Sequence, residues 1–300
     1  MRHWVGAALL LTLSGPWQGV GWQLVAPRNL RQTGTITEPR LAETSGAAAS
    51  RRNPGIIWII EDSGNPPDVI ATDTLGRYRA EIALDGATNV DWEEVALGPC
   101  HATSCIYIAD TGDNSEGRPD VQLYRLEEPT LLPSNLAFVR SGTSTFEKLR
   151  FRYPDGPHDV EAMAVTGNGD VLLVTKGRSH GVLEFRIPAS AWGSPGVATA
   201  ERIDSLPISA SAGSGQLITG MALSPDGQRV MVRSYREIFP FALRANGTMR
   251  PLGKPSSCDI LGLEPQGEGI AYLDSRWLVL TSERGLFKAG TVFVLECAVE

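Results

Sequence analysis

Short apolar runs bounded by turn-forming residues recur along most of the chain. They are rich in Val, Ile and Thr, and Gly, Pro, Asn or Asp stand beside them. This pattern predicts strands, because β-branched side chains suit a pleated sheet and these turn formers end strands. Beyond the N-terminus no stretch has the apolar period of an amphipathic helix, so the sequence predicts an all-β protein. Clear examples are residues 55–60, 105–109, 171–175, 229–233 and 276–281.

A repeated segment precedes each of these runs. Residues 91–97, 159–165 and 267–273 share one form, in which a polar lead residue is followed three positions later by Ala. Weaker copies begin at 45 and 219. Because short strands that repeat at a regular interval are typical of β-propellers, the sequence predicts that fold. The five lead residues are Ser45, Glu93, Glu161, Thr219 and Glu268.

The number of repeats predicts the number of blades. The fifth repeat has three strand candidates before the chain ends, and residues 22–40 carry a spare one. A strand from one terminus commonly completes the blade at the other, which leaves no sheet edge exposed. We therefore predict a single propeller of five four-stranded blades closed by an N-terminal strand. Six blades are the alternative, if the polar insertion at 127–145 hides a degenerate blade.

Composition limits the partners. The net charge of −7 argues against a nucleic-acid partner, which would need a basic surface, and it is compatible with cation binding. We expect a monomer that binds a small anionic ligand or an unknown protein partner.

The N-terminus predicts export. A short basic start precedes an apolar run at 4–13 that is too short to span a bilayer, and Gly19 and Gly21 suit cleavage before Trp22. Residues 1–21 are thus predicted to be a signal peptide and residues 22–300 the propeller domain of a periplasmic or secreted protein. A buried first strand or a membrane anchor is the alternative. No later stretch is long and apolar enough to cross a membrane.

Four cysteines in an exported chain suggest two disulfides. Cys100 and Cys105 flank a turn between two strand candidates, so they are the natural hairpin pair. Cys258 would then pair with Cys297. Zinc binding by these cysteines is disfavoured, because the chain lacks Cys-x-x-Cys spacing with His partners.

The lead residues are candidate metal ligands. In a propeller the innermost strands line the central channel, so Ser45, Glu93, Glu161, Thr219 and Glu268 would face one axis. Three carboxylates this close would repel one another, and a divalent cation would relieve the repulsion. Oxygen ligands with flexible spacing suit Ca²⁺ better than the strictly octahedral Mg²⁺. A hydrated acidic channel without metal is the alternative.

Polar residues after the second strands are candidate substrate ligands, because these loops would open on the same face. Taken singly, each such motif is also a common turn composition. Lys and Arg side chains there would suit a phosphate. Asp110, Asp113 and His158 are the candidate general bases. The candidate substrate ligands are Asp62, Asn65, Asn114, Lys176, Arg178, Arg233, Arg236 and Arg284.

The chain resembles a group of exported bacterial β-propeller proteins that mostly lack an assigned function. The resemblance rests on Asn-Val-Asp-Trp-Glu-Glu-Val-Ala at 89–96, Ile-Ala-Asp-Thr-Gly-Asp-Asn at 108–114, and the segments 62–67 and 151–162. It covers most of the mature chain and implies the propeller fold.

More distantly, the lead residues are similar to the central calcium site of the five-bladed calcium-activated nucleotidases (apyrases). The resemblance implies a Ca²⁺ ion on the axis, held at Ser45, Glu93, Glu161, Thr219 and Glu268. The chain lacks the Asp-Asp-Arg stretch that those enzymes carry in an early blade. The resemblance therefore implies the ion rather than nucleotide hydrolysis.

Three functions are compatible with these features. The first is a calcium-dependent hydrolase of a phosphorylated or other anionic small molecule. The second is a calcium-dependent lactonase or esterase, which would need an apolar pocket and few arginines. The third is a binding or scaffold propeller in which the ion only stiffens the ring, because propellers host many functions.

Overall fold

The computed structural model describes residues 21–131, 140–141, 145–286 and 288–298. Strands dominate this part of the chain, with short 3₁₀ turns at Ala189–Ala191 and Ala212–Ser214. The strands in chain order are β1 (Gln23–Val25), β2 (Arg28–Ile36), β3 (Thr44–Ala49), β4 (Ile56–Glu61), β5 (Asp68–Asp73), β6 (Tyr78–Ala83), β7 (Trp92–Cys100), β8 (Thr103–Asp110), β9 (Val121–Glu127), β10 (Arg140–Ser141), β11 (Glu147–Arg152), β12 (Val160–Val165), β13 (Val171–Thr175), β14 (Leu183–Ile187), β15 (Val197–Thr199), β16 (Glu201–Ser205), β17 (Ile218–Leu223), β18 (Arg229–Ser234), β19 (Glu237–Leu243), β20 (Met249–Pro251), β21 (Ser256–Asp259), β22 (Gln266–Tyr272), β23 (Leu278–Glu283) and β24 (Gly290–Glu296).

These strands form five sheets. Their main antiparallel paths are β3-β4-β5-β6, β7-β8-β9-β11, β12-β13-β14-β16, β17-β18-β19-β21 and β22-β23-β24-β2. The first strand of each sheet contacts the first strands of its two neighbours, so β3, β7, β12, β17 and β22 form a closed ring. The predicted five-bladed propeller is confirmed. A sixth sheet is not found in the described ranges.

The N-terminal segment closes the propeller. Strand β2 runs antiparallel to β24, with Ile36 opposite Gly290, and completes the fifth blade as the sequence predicts. Strand β1 instead adds in parallel to β21 at the outer edge of the fourth blade. The N-terminal residues therefore bind two neighbouring blades and cover both outer edges.

The hydrophobic core is divided among the five interfaces between blades. Each interface holds one cluster of buried apolar side chains. In β4, Ile57 and Ile59 pack toward the fifth blade, whereas Trp58 and Ile60 pack toward the second. Successive side chains of a strand point to opposite faces, and here both faces are buried. This explains why the second strands are almost continuously apolar.

Both predicted disulfides are present. Cys100 and Cys105 close the hairpin between β7 and β8. Cys258 in β21 joins Cys297, directly after β24, and so links the fourth blade to the fifth. Such bonds are consistent with an oxidising compartment. The predicted signal peptide lies outside the described residues except for Gly21, and no helix in the described part of the chain is long and apolar enough to cross a membrane.

Candidate functional site

Every innermost strand carries one β-bulge, and the lead residue lies in it. In β12, for example, Val160 pairs with Thr175 but Ala162 pairs with Val174, which leaves Glu161 without a partner opposite. A bulge inserts one extra residue and changes the direction of a side chain. The same shift occurs in the other four strands, at Ser45–Gly46, Glu93, Thr219 and Glu268. The sequence repeat is therefore a repeat of bulges around the axis.

Two overlapping groups of carboxylates lie at the end of the channel where the innermost strands begin. Glu93, Asp159 and Glu161 are buried, and one carboxylate oxygen of each lies within 4.8 Å of those of the other two. Asp62 and Asp91 are half-buried and form a second group with Glu93, under the same limit. We call these five residues the acidic group, and this end of the channel the mouth.

One buried cation compensates part of this charge. The Nζ atom of Lys176 lies 2.5 Å from Oε1 of Glu161, and Lys176 is 7% exposed. The neighbouring carboxylates of Glu161 and Glu93 raise the pKa of Lys176, against the effect of burial. Lys176 therefore stays charged, and its ammonium group pairs with Glu161 inside the protein.

Three carboxyls of the group, Asp91, Glu93 and Glu161, hold protons more tightly than free ones do. Burial is the main cause that raises the pKa of Glu93 well above its usual range, and the charge of Glu161 adds to it. Burial likewise raises the pKa of Glu161, although Lys176 opposes this. Burial and the nearby Asp62 raise the pKa of Asp91 to about 6. The group must bind protons or another cation, because ionised carboxylates at this spacing are unfavourable in a buried site.

Asp159 has an unused ligand atom in this group. Its Oδ1 accepts a hydrogen bond of 3.0 Å from the backbone N–H of Asp113. Its Oδ2 is buried and has no hydrogen-bond partner among the described residues, and the Nε atom of Arg178 is 4.0 Å away. Buried polar atoms are normally paired. This oxygen is therefore available to a cation.

The predicted ring of five ligands divides into separate groups. Ser45 donates its hydroxyl to the backbone oxygen of Glu93 at 2.7 Å, and Thr219 donates to that of Gly267 at 3.1 Å. These bonds join neighbouring blades. Glu268 belongs to neither carboxylate group, and its Oε1 accepts a hydrogen bond of 3.1 Å from Gln266. Burial, with the nearby Glu283, raises the pKa of Glu268 to about 8.

All three predicted bases have structural contacts. Asp110 is fully buried and lies 2.9 Å from Nη2 of Arg118. Asp113 accepts the backbone N–H of Arg118 at 2.6 Å and shapes the turn after β8. His158 is 5% exposed, and its Nε2 lies 2.9 Å from Oδ1 of Asp155.

The predicted substrate ligands are placed very differently from one another. Arg233 is fully buried, with Nη2 2.7 Å from Glu264 and Nη1 donating to the backbone oxygen of Gly269 at 2.8 Å. Arg178 is partly exposed at the mouth, and its Nη2 donates to Oδ1 of Asn114 at 2.7 Å.

The other substrate candidates lie around the rim. Asn65 donates to Oε2 of Glu43 at 3.0 Å, and Arg236 lies 3.6 Å from Glu237. Arg284 is exposed. The structure thus places Arg178 and Asp62 at the acidic group, while Arg233 serves the interior of the fourth and fifth blades.

Sequence reasoning missed two members of the acidic group as ligands, Asp91 and Asp159. Each stands two positions before a lead glutamate, in Asp91-Trp92-Glu93 and in Asp159-Val160-Glu161. Residues two apart along an extended chain share a face. This Asp-x-Glu spacing, found in two repeats, was the signal that could have identified them.

Glu94 was also missed, and it lies directly beneath the mouth. It is fully buried, and burial raises its pKa well above the usual range. Its Oε2 accepts the backbone N–H of Met221 at 2.9 Å, and its Oε1 accepts that of Val95 at 3.1 Å. The residues that follow the other lead residues are all small, namely Gly46, Ala162, Gly220 and Gly269. A single large residue at that position was the signal.

The opposite end of the channel is a cavity of about 530 Å³ with both apolar and polar lining residues, the polar ones including Arg51 and Asp226; we call it the funnel. It is lined by the second halves of the five innermost strands and the turns after them. Among its lining residues are Ala48, Val95, Leu97, Met163, Met221 and Leu273.

Comparison with known proteins identifies the fold. The chain has a TM-score of 0.52 and 12% identity to the PQQ-bound aldose sugar dehydrogenase of Streptomyces coelicolor, over 90% of this chain and 99% of that one. Likeness at this identity concerns the β-propeller fold and says nothing of a substrate.

Two further structures are similar at lower scores. A streptogramin B lyase matches with a TM-score of 0.47 and 12% identity, over 89% of this chain and 97% of that one. A gluconolactonase from Xanthomonas campestris matches with a TM-score of 0.45 and 15% identity, over 90% of this chain and 96% of that one. No protein-family model matches the chain, and no curated protein matches it by sequence.

Proposed function

We propose that the mouth binds a divalent cation and that this ion is the centre of a hydrolase for small anionic molecules. Glu93, Asp159 and Glu161 would hold the ion, with Asp62 and Asp91 at its open side. The free Oδ2 of Asp159 carries the proposal, because it is a buried carboxylate oxygen without a hydrogen-bond partner in the described structure, beside two other buried carboxyls.

Calcium suits this group best. All the ligand atoms are carboxylate oxygens, which hard cations prefer over nitrogen or sulfur ligands. The oxygens come from three neighbouring blades, and within each of the two groups they lie within 4.8 Å of one another; this wide arrangement favours an ion with flexible coordination. Ca²⁺ accepts six to eight oxygens at about 2.3–2.6 Å, whereas Mg²⁺ demands near-octahedral geometry at about 2.0–2.1 Å.

The chain's own residues define the rest of the reaction. A bound divalent ion supplies a Lewis acid that polarises an oxygen of the substrate. Asp91 is half-buried at the open side and is the carboxyl placed to accept a proton from an attacking water. Arg178, partly exposed and 4.0 Å from Asp159, is placed to hold an anionic group of the substrate.

A calcium-dependent lactonase or esterase is the second candidate. It is favoured by the loss of two predicted phosphate ligands, since Lys176 is paired with Glu161 and Arg233 with Glu264. A carbonyl substrate needs less positive charge than a phosphate does. Replacing Arg178 by Met separates the two, because it should abolish turnover of phosphate esters and leave lactones largely unaffected.

Thermal unfolding in EDTA, in Ca²⁺ and in Mg²⁺ tests the ion. At about 100 times its dissociation constant a ligand adds about 2.7 kcal/mol of stability, so we expect a higher Tm in Ca²⁺. Asp159→Asn should remove this shift. Asp120→Asn is the matched control, because Asp120 forms only a surface ion pair with Arg150. Equal Tm values in all three solutions would sink the proposal, as would a normal calcium shift in Asp159→Asn.

Turnover is tested next, with phosphate esters, lactones and carboxylic esters at saturating Ca²⁺. We expect hydrolysis of at least one class, lost in EDTA and in Asp91→Asn. Calcium binding without hydrolysis of any substrate class would overturn the proposed hydrolase activity. The ion would then only stabilise the ring of innermost strands.

A further inference from the structure

A second cluster of candidate ligands lies beside the acidic group and has different chemistry. It consists of Glu116, His158 and His180, with one ligand atom of each within 4.8 Å of the others. Glu116 lies between β8 and β9, His158 directly before β12, and His180 between β13 and β14. Two neighbouring blades therefore bring these three side chains together.

His158 is the fixed member of the cluster. Its ring packs against Phe185 and Tyr153, with centroid distances of 5.2 Å and 5.3 Å. Its Nε2 lies 2.9 Å from Oδ1 of Asp155, so Nε2 carries the proton that this carboxylate accepts. In the neutral imidazole, Nδ1 is then the nitrogen with a free lone pair. That atom is buried and has no hydrogen-bond partner within the described ranges.

This arrangement is the one that metal-binding histidines use. A metal-ligating imidazole almost always donates its other N–H to a carboxylate or carbonyl, which fixes the tautomer and aims the free nitrogen at the ion. Asp155 makes this hydrogen bond with His158. Neither the acidic group nor the catalytic proposal uses the Nδ1 atom of His158, and no described residue satisfies it.

We propose that His158, His180 and Glu116 form a second metal site, selective for Zn²⁺ or another nitrogen-binding transition-metal ion. Two imidazoles and one carboxylate are ligands of the catalytic zinc type, which leaves a fourth position for water or a ligand. Ca²⁺ and Mg²⁺ prefer oxygen alone. The site therefore differs in chemistry from the acidic group, although His158 and Asp159 are consecutive.

The two outer ligands are able to complete the coordination. Zinc bonds to nitrogen and oxygen of about 2.0–2.2 Å place tetrahedral ligand atoms roughly 3.3–3.6 Å apart. Nε2 of His180 already lies 3.8 Å from Oε2 of Glu116. The His180 side chain is 58% exposed and the Glu116 side chain 22%. Small rotations of these two side chains toward the fixed His158 would therefore form the site.

Calorimetric titration of residues 22–300 with Zn²⁺, in saturating Ca²⁺, tests the proposal. Calcium occupies the acidic group, so zinc bound there would be displaced. We expect one Zn²⁺ per chain, and a visible absorption band when Co²⁺ replaces it, because nitrogen ligands give cobalt a distinct spectrum. Absence of zinc binding by the wild-type chain would overturn the proposal.

His180→Ala is the decisive variant, because the exposed His180 can be removed without disturbing the core. It should weaken zinc binding by more than about 100-fold, and Asp155→Asn by about 10–100-fold. His101→Ala is the matched control: His101 is 61% exposed and 2.9 Å from Glu147 on the outer part of the second blade. Its zinc affinity should be unchanged.

The rise in Tm on adding Ca²⁺ distinguishes a failure of the zinc site from a failure of the proposed calcium site. It should persist in His180→Ala, which also proves that the variant is folded. Unchanged zinc affinity in His180→Ala would overturn the second site, whatever calcium does. Loss of the calcium shift with zinc binding intact in the wild type would instead overturn the ion at the acidic group alone.

Discussion

The two ends of the central channel are built by the same five strands and differ in the side chains that these strands present. At the mouth, each strand begins with a bulge, and buried carboxylates gather there. At the funnel, the same strands pair regularly and line the cavity with Ala, Val, Leu and Met side chains. The bulged halves of the strands thus carry the carboxylates, and the regularly paired halves carry small and aliphatic side chains.

Glu94 lies where the two ends meet. Its carboxylate accepts backbone N–H groups of Val95 and Met221, which both line the funnel. The small residues Gly46 and Gly220 leave the space that this carboxylate fills. The boundary between the two ends therefore depends on close backbone approach across the axis, and not on the lead residues alone.

The largest loss of stability is expected from a substitution that fills the space around the Glu94 carboxylate. In Gly46→Val the new Cβ would collide with the backbone of Glu94 and of Val95 in the next blade. Backbone atoms in a packed ring cannot move aside, so the cost should exceed about 4 kcal/mol and prevent normal folding. Circular dichroism and chemical denaturation check this.

A glycine at the funnel provides the control for that change. Gly167 is exposed, and a Cβ there meets no atom within 4 Å. Gly167→Ala should therefore be within about 0.5 kcal/mol of the wild type. Equal effects of the two substitutions would contradict the difference between the two ends.

Removing the buried cation should have the next largest effect. Lys176→Met leaves Glu161 without its partner, and breaking a buried ion pair costs about 3–5 kcal/mol. Ca²⁺ should reduce this loss, because it supplies positive charge to the same carboxylates. Denaturation in EDTA and in Ca²⁺ measures the difference. Lys254→Met, at an exposed lysine, should be neutral in both solutions. A loss of equal size with and without Ca²⁺ would place Lys176 outside the ion's surroundings.

The smallest loss of stability is expected from a substitution of Glu94, at the boundary between the two ends. Glu94→Gln replaces one acceptor oxygen by an NH₂ group, so one buried N–H loses its partner at about 1–3 kcal/mol. Glu127→Gln, at an exposed position, is the control.

The size of that effect should depend on pH. Because burial raises the pKa of Glu94 well above its usual range, the folded wild type binds this proton more tightly than the unfolded chain. The resulting stability is complete below the unfolded pKa and is lost as pH rises through the folded one. The advantage of the wild type over Glu94→Gln should therefore shrink from pH 5 to pH 9. A constant difference would show that Glu94 does not titrate in this range.

Much of the architecture followed from patterns along the chain. The apolar runs, the repeated lead residue and the spare N-terminal strand predicted five blades, their closure and both disulfides. Each depends on residues close in sequence or on the count of repeats. Glu93, Glu161 and Asp62, which the sequence singled out, belong to the acidic group, while their roles as ligands stay predictions.

The rest of the site depends on distances between blades. Lys176, Arg178 and Arg233 are all basic residues at or just after the end of a second strand. Glu161 and Glu264 nevertheless pair with Lys176 and Arg233 inside the protein. Which basic side chain stays exposed at the mouth is decided by carboxylates that only the fold brings near.

The sequence by itself determined the strands, the blade count and the lead residues, because alternation and repetition are local properties of the chain. The tertiary structure decided which side chains meet. Glu94 accepts a hydrogen bond from Met221, which lies 127 residues further along the chain. His158 and His180 meet Glu116 only because two blades pack side by side. Charge, burial and coordination depend on separations of a few ångströms in space, and no spacing along the chain fixes these.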